Sequence, residues 1–302
     1  MKLGRFTNLL LLVLDWGILL AAQGYANKYV SSYTTGLFGF IIVVTAYTVY
    51  FFSRHAQEEL VTLKYWKGKM LLIGCIGFSI QFFTMIGLTF GNAQTGAFLL
   101  KTELILVNIV SIIVYKQRFA LKDWLVTLVA FVGALFVVNV DFKAMTFTVG
   151  DLGYVGGACM MTWNTFNIQG LIKQEKHPVP RNAIAYWNAF ITLILFFACV
   201  IVFGKGAEFT GVFARPDVVT ALTIFGVTQG FCMFMYYKTL DDFPAWIVKA
   251  TLLLCPIVTL ICTIFMYRTI PSAKALFGGV LVLGACLALL LSEGKKQRAE
   301  AA

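Results

Sequence analysis

The 302-residue chain is poor in charge: Asp, Glu, Lys and Arg make up 13% of it, about half the share of an ordinary soluble domain. With 60% hydrophobic residues and a mean hydropathy of +0.84, a water-soluble globule is excluded. Histidine is nearly missing. His55 and His177 lie far apart in segments that read as loops, which argues against a histidine-based metal centre. The cysteines (Cys75, Cys159, Cys199, Cys232, Cys255, Cys262 and Cys286) all fall inside apolar runs without paired spacing. They read as small packing residues, and neither a disulfide framework nor a metal site is expected. There is no glycine-rich phosphate loop, nucleophile elbow or zinc-ligand spacing. No enzyme chemistry, no cofactor and no direct use of ATP follow from this sequence.

What the chain has is long apolar runs. Ten are expected to cross a bilayer, at about 6–24, 35–53, 69–88, 95–115, 123–140, 151–172, 183–204, 217–238, 245–267 and 275–292. Each suffices for the roughly 30 Å hydrocarbon layer at about 1.5 Å per helical residue. The runs lack the two-residue alternation of barrel strands, so their backbone can be satisfied in lipid only as helices. Lys2 and Arg5 before a leucine run resemble a secretory leader, but Asp15 interrupts the run and more spans follow, so it reads as an uncleaved first helix. Pro216, Pro244 and Pro271 precede spans eight, nine and ten, where a missing N–H costs nothing. Pro256 alone lies within a span and should kink it.

The net charge of +10 is dispersed over short loops, where it reports topology rather than nucleic-acid binding. With the amino terminus inside, sixteen of the 24 lysines and arginines fall on the inner side, six on the outer, and Lys101 and Lys249 within the membrane. This bias places both termini in the cytoplasm; the plasma (cell inner) membrane is the expected location. The chain also matches itself at a shift of about 152: Tyr115-Lys116 falls on Tyr267-Arg268, Lys122 on Lys274, Gly74 on Gly226 and Ala93 on Ala245. Five spans per half is an odd number, so residues 1–140 and 141–302 should form two five-helix repeats of inverted topology, with a site near the midplane between them.

A lysine and a glutamate inside span four, Lys101 and Glu103, mark a substrate or ion pathway. Two residues apart they point to opposite sides of a helix and cannot pair with each other. Lys101, about 9 Å from the outer end, is read either as meeting a solute's carboxylate or as snorkelling outward, and Glu103 as a proton carrier or a lysine's counter-charge. Asn108 extends the lysine's face. Asp15 lies about 13 Å into span one, close to the midplane, and Trp16 beside it could cover an apolar part of a solute. Lys249 is near enough to the inner end to snorkel, with binding as the other reading. In span six, Met160, Trp163, Asn164 and Asn167 form a stripe that could stack on and hydrogen-bond a ligand, or simply bond helices together. Gln81, Gln229, Tyr236, Tyr186 and Asn188 are weaker candidates of the same kind. Gly284-x-x-x-Ala288 and Ala130-x-x-x-Ala134 are packing faces, for helix contacts or a homodimer seam.

Several of these residues carry a resemblance. Trp16-Gly17, Trp163, the link Gly91-Asn92-Ala93-Gln94-Thr95, the run from Leu240 to Pro256, and Tyr115-Lys116-Gln117-Arg118-Phe119 are similar to the five-helix EamA-type repeat of the drug/metabolite transporter superfamily. The resemblance implies export or exchange of small metabolites, with proton linkage as one option. Leu104 stands where such proteins often carry the proline seen here at Pro256, so helix four is expected to be straighter than helix nine. The combined expectation is an all-α integral membrane transporter of small polar or amphipathic solutes such as amino acids. Phosphorylated or nucleotide-linked sugars are the alternative cargo, and a non-transporting membrane interaction protein the alternative class.

Overall fold

A computed structural model describes residues 3–61, 67–116, 119–174, 179–268 and 270–300. Lys2, Lys64, Gln117, Arg118, Lys176, His177 and Pro178, and the side chains of Lys295, Lys296 and Arg298, lie outside the described residues. The described residues are helical, without a strand. The first half holds α1 (Leu3–Ala26), α2 (Ser32–Ser53), the short α3 (Glu58–Val61), α4 (Lys67–Phe90), α5 (Ala93–Lys101), α6 (Glu103–Ile113) and α7 (Leu121–Val137). The second holds α8 (Leu152–Ile172), α9 (Arg181–Val202), the short α10 (Gly206–Gly211), α11 (Pro216–Asp242), α12 (Ala245–Thr251), a 3-10 turn Leu252–Leu254, α13 (Cys255–Tyr267) and α14 (Ala273–Glu300).

Seven helical segments among the described residues are long and apolar enough to cross a membrane unaided. The three other expected crossings differ for physical reasons. Span four is divided at Thr102 into pieces of 9 and 11 residues, α7 has 17, and α8 carries Asn164, Asn167 and Gln169 among its apolar residues. Span eight continues beyond its expected end, to Asp242.

The two halves repeat in register, with a shift that changes along the chain. Shifted by 149, Ser32–Ser53 falls on Arg181–Val202 and the start of α4 falls on Pro216. From the end of α4 onward the shift is 152: Phe90 falls on Asp242, Ala93 on Ala245, Glu103 on Cys255 and Leu121 on Ala273. The change occurs inside the third helix of each half, because α11 has 27 residues and α4 has 24. Two pairs of left-handed residues follow the same registers. His55 (φ 52°) matches Gly204 (φ 64°) past α2 and α9, and Lys116 (φ 50°) matches Arg268 (φ 51°) past span four and α13. These left-handed residues end their helices, a conformation glycine adopts without strain and histidine does not.

Packing pairs are exchanged between halves. α1 packs on α11 as α8 packs on α4; α2 packs on α11 as α9 packs on α4; α1 meets α13 as α8 meets α6; α2 pairs with α9 and α7 with α14. Glycines set the closest approaches. A Cβ at Gly153 would lie 2.6 Å from the Gly87 nitrogen and the Phe83 oxygen, so α8 and α4 touch backbone to backbone. On α1, Gly17 makes room for the Val258 side chain of α13, and Thr259 Oγ1 donates to the Gly17 carbonyl at 3.1 Å. Ala130 and Ala134 are fully buried on α7, which packs on α14, whereas Gly284 and Ala288 remain on the exposed face of α14.

The connectors are tied down by polar groups. The Ser31 backbone N–H donates to Glu208 of α10 at 2.6 Å. Burial pushes the Glu208 carboxyl up, but hydrogen bonds from Ser31, Thr34 and Lys205 outweigh it and hold the group below its ordinary range.

Candidate functional site

Span four breaks without a proline. Thr102 donates from its backbone N–H (3.1 Å) and its Oγ1 (2.5 Å) to the Leu99 carbonyl, which closes a tight turn between α5 and α6. The charges on either side suit the break. Lys101 ends α5, where exposed carbonyls favour a cation, and Glu103 opens α6, where free N–H groups favour an anion. The expectation that Leu104 would leave this helix straighter than its counterpart is therefore corrected. Span nine breaks at the matching place, with Leu252–Leu254 as a 3-10 turn and Pro256 in the first turn of α13.

Both breaks border a cavity of about 440 Å³ between the halves. Lys249 of α12 reaches across it, its Nζ 2.6 Å from Glu103 Oε1, with side-chain exposures of 8% and 16%. At that separation an ammonium facing a carboxylate combines charge attraction with a charge-assisted hydrogen bond. The same ammonium lies 4.9 Å from the Tyr236 ring centre and 5.8 Å from that of Trp16, which meet edge to face. This is a cation held by one carboxylate and two aromatic faces. The snorkelling reading of Lys249 is corrected: its side chain turns inward to a counter-charge. Lys101 also lines the cavity, half-buried, and among the described residues it has no hydrogen bond or ion pair.

The other candidates divide. Trp16 and Asn164 line the cavity, as do Gln81, Gln229, Tyr236 and Asn188. Asn164 Oδ1 is buried without a partner. Trp163 is 48% exposed and does not line the cavity. Asn167 donates to the Trp163 carbonyl at 2.8 Å. The expected stripe on α8 is thus split, because the helix presents Met161, Asn164, Thr165 and Ile168 to the cavity and turns Trp163 away. Asp15 is buried beside the cavity wall without lining it, and its Oδ2 has no hydrogen-bond partner. Asn108 is fully buried one turn beyond the lining residue Leu104, and both its polar atoms are unpartnered. Tyr186 stacks on Phe190 outside the cavity. The sequence reading missed Thr165, Tyr237, Met85 and Met233, all lining residues. Thr165 was findable, since it adjoins Asn164 and sits one turn after Met161; nothing in the sequence singled out the methionines.

The two ends of the cavity differ. At one end the C-terminal ends of α8 and α11 are sewn together: Gln169 Nε2 donates to the Leu240 and Phe243 carbonyls, both at 3.1 Å. Asn188 donates to Tyr237 Oη at 2.6 Å, and the Thr165 and Tyr236 hydroxyls are 2.8 Å apart. Arg5–Asp242 (3.1 Å) and Arg181–Asp241 (3.6 Å) flank this seam. At the other end, α1 and α2 make no comparable contact with α4 among the described residues, and the lining continues along Leu20, Gln23 and Asn27 to Ser32. Transferred by the repeat registers, Tyr236 and Tyr237 of the sewn pairs fall on Thr84 and Met85, and Asn188 falls on Gly39. Thr84 and Met85 line the cavity rather than close it.

A comparison with curated proteins finds no match. Among solved structures, one titled "Crystal structure of protein" superposes with a TM-score of 0.78 at 14% identity, covering 97% of this chain and 100% of that one. That likeness concerns the fold. The sequence profile described as "EamA-like transporter family" matches residues 6–139 and 150–291, nearly the whole length. The chain belongs to the EamA-like transporter family.

Proposed function

We propose that this protein is a secondary active transporter that moves a small polar or amphipathic organic solute across the plasma membrane by alternating access. Its ten crossings form two inverted five-helix repeats, 1–140 and 141–302, with both termini cytoplasmic, and the seam between α8 and α11 is the cytoplasmic gate. The carrying observation is the cavity between the halves, bordered by a broken helix from each and closed at one end only. Unwound helices at the midplane are where carriers place their cargo. Export or exchange is the proposed direction. Among the described residues the cavity offers one lysine outside an ion pair, which is too little for a nucleotide-linked or phosphorylated sugar.

Proteoliposomes test this by counterflow over amino acids, other small acids, amines and nucleotide-sugars; no flux of any of them sinks the proposal. Asp15, buried with a free carboxylate oxygen, is the better proton carrier than Glu103, which is engaged by Lys249. Asp15→Asn is expected to abolish accumulation driven by a pH gradient while exchange survives. Accumulation by the variant would assign Asp15 a structural role. Topology is checked with tags: Glu58 is expected to be labelled from the cytoplasm and Lys143 and Lys205 from outside. Labelling of Lys143 only from within would remove the inverted arrangement.

A further inference from the structure

We infer that the central cavity selects organic solutes carrying a single net negative charge, with Lys101 as the recognising group; the inference rests on the transporter reading and names its substrate class. On the sequence, Asp15, Lys101, Glu103 and Lys249 cancel, and a zwitterion is the natural cargo. The structure divides these charges differently. Lys249 and Glu103 neutralise each other at 2.6 Å, and Tyr236 and Trp16 cover the ammonium, so neither charge is free for a solute. Asp15 stands outside the cavity lining. Lys101 remains, facing the cavity with no ion pair among the described residues. The charged side chains lining the cavity, Lys101, Lys249 and Glu103, therefore carry a formal sum of +1.

The rest of the wall specifies the remainder of the solute. Asn164 Oδ1, buried and unpartnered, is an acceptor waiting for an N–H or O–H donor. Met85, Met161 and Met233 supply apolar, adaptable surface for a body of variable shape. A volume of about 440 Å³ suits a small molecule. The class is an amphipathic monoacid bearing a hydrogen-bond donor. A second negative charge would find no partner, and a cation would meet Lys101 with nothing to offset it.

The test is binding to the purified wild-type protein, read by tryptophan fluorescence since Trp16 lines the cavity. Two matched sets serve as probes: benzoate, benzamide and benzylamine, and hexanoate, hexanamide and hexylamine. The acid is expected to bind tightest in at least one set. Lys101→Met should weaken that acid roughly ten- to a hundredfold, the worth of a charge-assisted contact, and leave its amide unchanged. Lys101→Arg should keep the preference. If Lys101→Met does not fold, the wild-type ranking decides alone. The inference is overturned if amide or amine equals the acid, if no probe binds, or if Lys101→Met weakens acid and amide alike. Counterflow of the preferred probe separates the two claims: flux without acid preference removes the charge assignment only, and acid binding without flux removes the transport reading only.

Discussion

Glu103→Gln is expected to destabilise the protein by about 3–5 kcal/mol, the range for removing one partner of a buried ion pair. The mechanism is the stranding of Lys249, whose side chain is 8% exposed and has its carboxylate partner in Glu103. Water in the cavity should bring the loss toward the lower figure. Glu103→Gln combined with Lys249→Met should recover most of it, because no charge is then left without a partner. Thermal unfolding of the three proteins in detergent measures the coupling directly. If the single variant melts like the wild type, the pair does not join the halves, and the bond between α6 and α12 must be sought elsewhere.

A second large effect is expected from Gly153→Val. Its Cβ would sit 2.6 Å from two backbone atoms of α4, and backbone cannot turn aside as a flexible side chain can. Separating α8 from α4 should cost about 1–3 kcal/mol or more, as overpacked cores do. Gly170→Ala on the same helix meets nothing within 4 Å and should instead gain about 0.5–1 kcal/mol from helix propensity. Melting temperatures that move in opposite directions would confirm the contact. Equal shifts would mean that α8 responds to helix propensity alone, without a close crossing.

Much of this architecture was legible because its signals are local. Apolar run length marked the helices, and the self-match marked the repeat, though one fixed shift could not express a register that changes inside a helix. The break in span nine was visible through Pro256. Its twin at Thr102 was not, since it depends on a threonine bonding its own backbone and on two charges suited to helix ends. Lys101 and Glu103 announced themselves as charges in an apolar run, but the partner of Glu103 lies on α12, a long-range fact that no local pattern encodes. Asn164 and Trp163 show the limit most plainly. Adjacent on one helix, they end on opposite sides of the cavity wall, and only the packing of α8 on α4 and α11 decides which faces inward.

The three extra residues of α11 bear on how the machine idles. In an α-helix, three residues add about 4.5 Å of length and about 300° of rotation, some 60° short of a full turn. A rocker assembled from two identical halves would have mirror-image end states of equal energy and, without cargo or gradient, would occupy each half of the time. Here the longer helix places Tyr236 and Tyr237 at one end where its twin offers Thr84 and Met85 at the other, so the end states are chemically unequal. If the halves exchange shapes as proposed, the unloaded protein has a resting side. On that reading the hydroxyl-rich seam favours the side shut between α8 and α11 and open beside Trp16.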